Sequence, residues 1–126
     1  MKKQDKMRMQ IRRKTTGPIS ILVLKGMFMA PMDEELFISR INALLRSGRK
    51  LIVVNLEQVP YMNSVGEWAL VERCSQINQA GGKLKLCSIS RRAITERVIS
   101  PLVISKLHSV FEVFDTEREA IESFKM

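Results

Sequence analysis

The sequence predicts an α/β domain, a sheet covered by helices, and three observations predict it. Four runs of strand length, ISILVLK (19–25), KLIVVNL (50–56), KLKLCSI (83–89) and VFEVF (110–114), are apolar throughout or alternate with period two. Segments with apolar residues at helical spacing lie between them. The 126 residues make one domain, enough for a single core. Strands alternating with helices imply right-handed crossovers and the order β-β-α-β-α-β-α-β-α.

Taken in order, Met7, Met9 and Ile11 alternate with Arg8, Gln10 and Arg12, which predicts a first edge strand in MRMQIRRK. Thr16-Gly17-Pro18 breaks it, and ISILVLK is a buried strand. The Met-rich link MFMAPM (27–32) reads as adaptable core filler rather than a cofactor or metal patch. Asp33 caps a helix over 34–47 with Glu34 and Glu35 in its acidic first turn. Ile38, Ile41 and Leu45, joined by Phe37 and Leu44, face the core, and Gly48 ends the helix. KLIVVNL has the continuous apolar character of a strand buried on both faces.

In EWALVERCSQINQ, Leu70, Cys74 and Ile77 fall at helical spacing, and Gly81-Gly82 stops that helix. Lys83 and Lys85 alternate with Leu84 and Leu86, so one face of that strand is expected to be wet or partner-facing. RRAITERVI reads as one helix, and Ser100-Pro101 as the N-cap and first residue of a second. VFEVF is the last strand. Thr116 and Glu119 form a capping box for a final helix that turns Ala120, Ile121 and Phe124 inward.

Composition narrows the function. Hydrophobic content of 45% and charged content of 27% are ordinary for a soluble globular protein. No apolar run approaches the ~18–20 residues that span a bilayer, so no membrane span is expected. The basic start lacks the apolar stretch and cleavage site of a signal peptide. Of the net charge of +8, residues 1–14 supply +6, with seven basic residues against Asp5. The basicity therefore belongs to a flexible tail (1–7) and a first strand, ahead of or within a single domain over 8–126. Nucleic-acid binding through residues 1–14, with Lys83, Lys85, Arg91 and Arg92, is the weaker reading because no aromatic residues interleave. Cys74 and Cys87 read as buried free thiols, which suits a reducing cytoplasm.

Enzymatic and metal chemistry lack their parts. There is one histidine, His108, and the two cysteines stand thirteen positions apart. No nucleophile or orienting acid is singled out beside His108, Gly81-Gly82 lacks a nucleotide-loop spacing, and no motif pairs carboxylates. No enzymatic turnover, cofactor or metal is expected, and the oligomeric state is left open.

What remains is Ser64 in KLIVVNLEQVPYMNSVGEWALV (50–71), where a buried strand delivers a hydroxyl to the start of a helix. The positive end of a helix receives a phosphate well. Phosphorylation there would add ~1.5–2 negative charges to a small patch. Yet Ser64-Val65-Gly66-Glu67 is also an S-x-x-E capping box, which explains the serine with no regulation at all.

The stretch VVNLEQVPYMNSVGEWAL resembles the V-D-L-x-x-V-x-[FY]-[ML]-D-S-[ST]-G pattern of the STAS domain family, whose small bacterial members are anti-sigma-factor antagonists. AGGKLKL (80–86) and KLHSVFEVFDTEREAIESF (106–124) match later landmarks, so the resemblance covers residues 8–125. It implies a four-to-five-stranded mixed sheet with helices mainly on one face. It further implies partner switching in the cytoplasm: the protein binds an anti-sigma factor, often a serine kinase, which phosphorylates a serine that a phosphatase later restores. By position that phosphoacceptor is Ser64, and the partner-binding loop is Met62, Asn63, Ser64, Val65, Gly66 and Glu67.

Three residues depart from the pattern. Asn63 stands for an aspartate, Val65 for a second hydroxyl residue and Glu67 for an apolar residue. The Glu67 carboxylate opposes a phosphate one turn away by ~1 kcal/mol or less after screening. Residues 91–105 are also longer than the family norm, and Lys106 stands where a glycine often precedes the leucine. The alternative reading is an interaction subunit that is not phosphorylated, in a signalling scaffold or a lipid-transport ABC complex, where Ser64 and Glu67 only cap the helix.

Overall fold

The computed structural model describes residues 8–96 and 98–125. Met7 and the basic tail expected over 1–7 lie outside them. β1 (Gln10–Thr16) and β2 (Ile19–Lys25) form an antiparallel hairpin in which Thr16 pairs with Ile19. Gly17, at φ +55°, takes the first position of the two-residue loop, where a hairpin turn needs a positive φ. The first strand thus begins later than the alternation from Met7 implies and runs on into the turn. Met9 is nonetheless buried and Ile11 packs against the core.

From β2 the chain passes through α1 (Pro31–Arg46), β3 (Leu51–Gln58), α2 (Ser64–Gln79) and β4 (Lys83–Cys87). It then forms α3 (Arg91–Thr95), α4 (Pro101–Val110), β5 (Val113–Phe114) and α5 (Glu117–Ser123). The strands lie in the order β1-β2-β3-β4-β5, and every pair after the hairpin is parallel. This is the mixed five-stranded α/β sheet that the sequence led one to expect.

The period of two in the strands builds two cores. Leu22, Leu24, Ile52, Val54, Leu84 and Leu86 point to the face covered by α1, α2, α3 and α4. Ile19, Ile21, Val23, Val53 and Cys87 point to the other, where α5 packs Ala120, Ile121 and Phe124. Four helices on one face and one on the other explain why the β3 run is apolar on both sides.

Five local expectations are corrected. Asp33 does not cap α1: Pro31 opens that helix, and the Asp33 carboxylate reaches back to accept from the N–H groups of Met29 (3.1 Å) and Ala30 (2.9 Å). A carboxylate in the first turn serves either way, so composition alone did not distinguish the two registers. Lys85 is not wet. It is 5% exposed, donates to Ser123 Oγ at 2.8 Å, meets Glu112 at 3.3 Å and lies 4.3 Å from the Phe124 ring centroid. The α5 helix covers it, so the expected patch of Lys83, Lys85, Arg91 and Arg92 loses a member. Among the described residues of RRAITERVI, which leave out Arg97, the helix covers Arg91–Thr95, capped by the Ser90 hydroxyl, and VFEVF is a strand only over Val113–Phe114. In the Met-rich link Phe28 is the core residue, while Met29 and Met32 are exposed.

Candidate functional site

β3 ends at Gln58 and the chain needs five residues to reach α2. Those five are zipped to the loop after β2. Gly26 N–H donates to Gln58 O (3.0 Å), Phe28 N–H to Tyr61 O (3.0 Å), and Phe28 pairs with Met62 in a parallel bridge. Two loops at the C-terminal edge of the sheet thereby hold each other by backbone bonds.

The helix that follows does not start as the S-x-x-E spacing implies. Its N-cap is Asn63, with extended backbone (φ −111°, ψ −166°), and its Oδ1 accepts from Val65 N–H at 3.0 Å. The Asn63 Nδ2 donates to Met29 O at 3.2 Å, tying the cap to the neighbouring loop. Glu67 N–H donates to Asn63 O, the first bond of the helix. Ser64 is therefore the first helical residue, not the cap. The capping-box reading of Ser64 and Glu67 is overturned, because the side chain one position earlier reaches the free N–H groups first.

Burial divides the six loop residues. Met62 is 1% exposed and Gly66 is buried, with no room for a side chain: a Cβ there would stand 2.6 Å from Phe28 O and 2.8 Å from Met62 Cγ. These two hold the loop against the core. Asn63, Val65 and Glu67 are half-buried, and Ser64 is exposed. Its hydroxyl sits at the positive end of a sixteen-residue helix with its side chain free of capping duty.

Sequence reasoning missed the apolar surroundings. Trp68 lies one turn beyond Ser64 on the same helical face and is 56% exposed. Met29, whose carbonyl accepts from Asn63, and Met32 at the start of α1 are exposed as well. The signal was present: Trp68 is out of phase with the buried Leu70–Cys74–Ile77 stripe, so it had to face outward.

The comparisons with known proteins agree with this architecture. The STAS domain model matches residues 10–120. The chain belongs to the STAS domain family. A protein of Thermotoga maritima assigned as an anti-sigma factor antagonist is similar at 23% identity and a TM-score of 0.75, over 92% of this chain and 95% of that one. The anti-sigma factor antagonist SpoIIAA in its unphosphorylated form is similar at 20% identity and TM-score 0.69, over 94% of this chain and 98% of that one. The Bacillus cell fate determinant SpoIIAA in its phosphorylated form gives 20% and 0.65, over 91% and 99%. At these identities the likeness speaks for the STAS fold.

Cys87 and Cys74 are buried free thiols. Burial pushes the Cys87 thiol up to about 11, against a hydrogen bond with Ser88 and with help from Glu117 and Glu57. Burial likewise raises Cys74, against its bond with Asn78. Among the described residues no group of three or more His, Cys, Asp or Glu is placed to hold a metal. No helix among them is long and apolar enough to cross a membrane.

Proposed function

We propose that this STAS protein is a cytoplasmic anti-sigma-factor antagonist whose binding is switched by phosphorylation of Ser64. Unphosphorylated, it binds an anti-sigma factor that is itself a serine kinase and so frees a sigma factor. Phosphorylation ends that binding, and a phosphatase restores it. The observation that carries this reading is the exposed Ser64 at the first position of α2, with its capping role taken over by Asn63. A kinase can reach that hydroxyl without dismantling the helix start.

The physical effect is large for a small patch. Adding ~1.5–2 negative charges one turn from Trp68 and beside the Met29 loop places a strongly hydrated group near exposed apolar side chains. Glu67 adds a like charge one turn away, which weakens but does not cancel the favourable helix terminus.

The test is incubation with the serine-kinase anti-sigma factor that it binds, with ATP, followed by site mapping by mass spectrometry. The expected result is label on Ser64, none on Ser64→Ala, and loss of binding in Ser64→Asp. Partner binding indifferent to Ser64→Asp, with Ser64 unlabelled while a control STAS protein is labelled, would instead leave a constitutive interaction subunit.

A further inference from the structure

Outside the C-terminal ends of β3, β4 and β5 lies an open cavity of about 620 Å³, within the ~300–1,000 Å³ range of small-molecule sites. This is the edge of an open α/β sheet at which crevices form and ligands bind. Glu57 near the end of β3 and Asp115 directly after β5 bring carboxylates to the cavity from the sheet. Arg91, which opens α3, and His108 on α4 bring nitrogen groups to it from the helices. Ile89, Ile94, Val113 and Phe114 supply apolar lining.

Two observations set this cavity apart from a gap between packed elements. Ser88, in its lining, is the only residue other than glycine with a positive φ (+59°) among the described residues. Its N–H donates to Phe114 O (2.9 Å) and its hydroxyl to Asp115 O (3.3 Å). Bonds to the end of β5 thus hold Ser88 in a conformation that side chains disfavour, and such strain gathers at ligand sites. The second observation is that opposite charges line one cavity without neutralising each other. Among the described residues the ion pairs include neither Arg91 nor Glu57 nor Asp115. The Ser90 and Thr116 hydroxyls are spent on helix caps. His108 Nδ1 lies 3.0 Å from the Ile104 carbonyl, which only accepts, so Nδ1 carries the proton and Nε2 is left for a ligand.

We propose that this cavity binds a small zwitterion with an apolar body, the class of the free apolar α-amino acids. Arg91 takes the ligand's carboxylate, Glu57 and Asp115 take its ammonium, and its side chain lies on Ile94 and Phe114. A ligand of one charge would satisfy one set of these groups and be opposed by the other. An α-amino acid carries both charges on one carbon and so bridges an acid and a base that do not reach each other. The site goes beyond the switch at Ser64 and does not rest on it.

The test is titration of the full, isotope-labelled chain with L-leucine, read by amide shifts in two-dimensional NMR. Two further probes each lack one charge: isopentylamine has no carboxylate and isocaproate has no ammonium. The expected result is saturable shifts centred on Ser88, Ile89, Ile94 and Asp115, with each single-charge probe at least about tenfold weaker than leucine. Arg91→Gln should weaken leucine and isocaproate without weakening isopentylamine. Glu57→Gln combined with Asp115→Asn should do the reverse, weakening leucine and isopentylamine but not isocaproate. Glycine, which has no apolar body, should bind more weakly than leucine. The three substituted side chains are exposed, so the variants should keep the native urea midpoint, and Ser64→Asp should bind leucine as the parent does. No saturable shifts, shifts centred elsewhere, or a single-charge probe that binds as well as leucine would overturn the proposal. So would equal loss of both single-charge probes in either variant.

Discussion

Replacing Asn63 by alanine should destabilise this protein by about 2 kcal/mol, while replacing Ser64 by alanine should cost ~0.5 kcal/mol or less. Asn63→Ala removes the cap bond to Val65 N–H, worth ~1 kcal/mol with a range up to about 2. It also removes the bond from Nδ2 to Met29 O, worth a further ~0.5–1.5 kcal/mol. Ser64 is exposed at the first helical position, where alanine is a good helix former. With an unfolding entropy of ~2.1 cal/mol/K per residue over 126 residues, 2 kcal/mol corresponds to about 8 °C in Tm. Urea unfolding and calorimetry of both variants measure this directly. Asn63→Asp should lie between them, since it keeps an acceptor for Val65, gains charge at a helix N-terminus and loses the donor to Met29. The opposite ranking, with Ser64→Ala costing 1 kcal/mol or more and Asn63→Ala less than half of that, would refute the cap assignment.

Three further outcomes follow from buried or half-buried groups. Lys85→Met should stay within ~1 kcal/mol of the parent, because it trades a cation–π contact and an ion pair with the exposed Glu112 for relief of a buried charge. Lys85→Ala should lose ~2–3 kcal/mol through lost packing of its stem, and equal costs for the two in urea unfolding would contradict this. Cys74 and Cys87 should resist Ellman's reagent at pH 8 in the folded protein and react fully in denaturant. Because the Cys87 thiol is raised in the fold, stability should hold below pH 9 and fall between pH 9 and about 11; rapid native labelling of Cys87 would oppose this. Burial pushes the Glu117 carboxyl up, but bonds from Lys14 (2.6 Å) and Asn55 (2.8 Å), with the charges of Lys14 and Arg12, hold it below its ordinary 4.5. Its contribution is thus full above that value and lost as the pH falls below it, so Glu117→Gln should flatten the acid limb of stability measured by urea midpoint.

The fold was legible because its strands carry period two or unbroken apolar runs and its helices carry 3.6, and these periods survive whatever surrounds them. What was not legible depended on contacts distant in sequence. Lys85 reads as a solvent-facing residue in an alternating strand, and only the arrival of α5, with Ser123 and Phe124 nearly forty residues later, buries it. Val110 and Phe111 read as strand because they are apolar and β-branched or aromatic. They are the end and C-cap of α4, since Phe111 N–H donates back to Leu107 O. Met29 and Met32 read as filler, yet Met29 lies in a loop pinned by its backbone to residues 58–63 and Met32 in the first turn of α1, and both are exposed.

At Ser64 the same limitation bears on function. The spacing S-x-x-E fits a capping box, but so does any register in which the preceding residue has a side-chain oxygen, and asparagine is as good a cap as serine. The choice between them is made by Met29 O, which engages the Asn63 amide from another loop and fixes its Oδ1 toward Val65. Once the cap is Asn63, the bland explanation for Ser64 disappears, because an exposed first-turn position accepts most residues at little cost. The departure from the family pattern at that position also takes on a different meaning. An asparagine supplies the acceptor that an aspartate would, and adds a donor that ties the loop to Met29 without placing a negative charge beside the serine. A phosphate on Ser64 would then meet one neighbouring carboxylate, that of Glu67, where an aspartate in place of Asn63 would have supplied a second. Combining Asn63→Asp with Glu67→Ala therefore separates the two charges. If the kinase labels Ser64, the Asn63→Asp variant should be labelled more slowly than the parent, and adding Glu67→Ala should offset that loss.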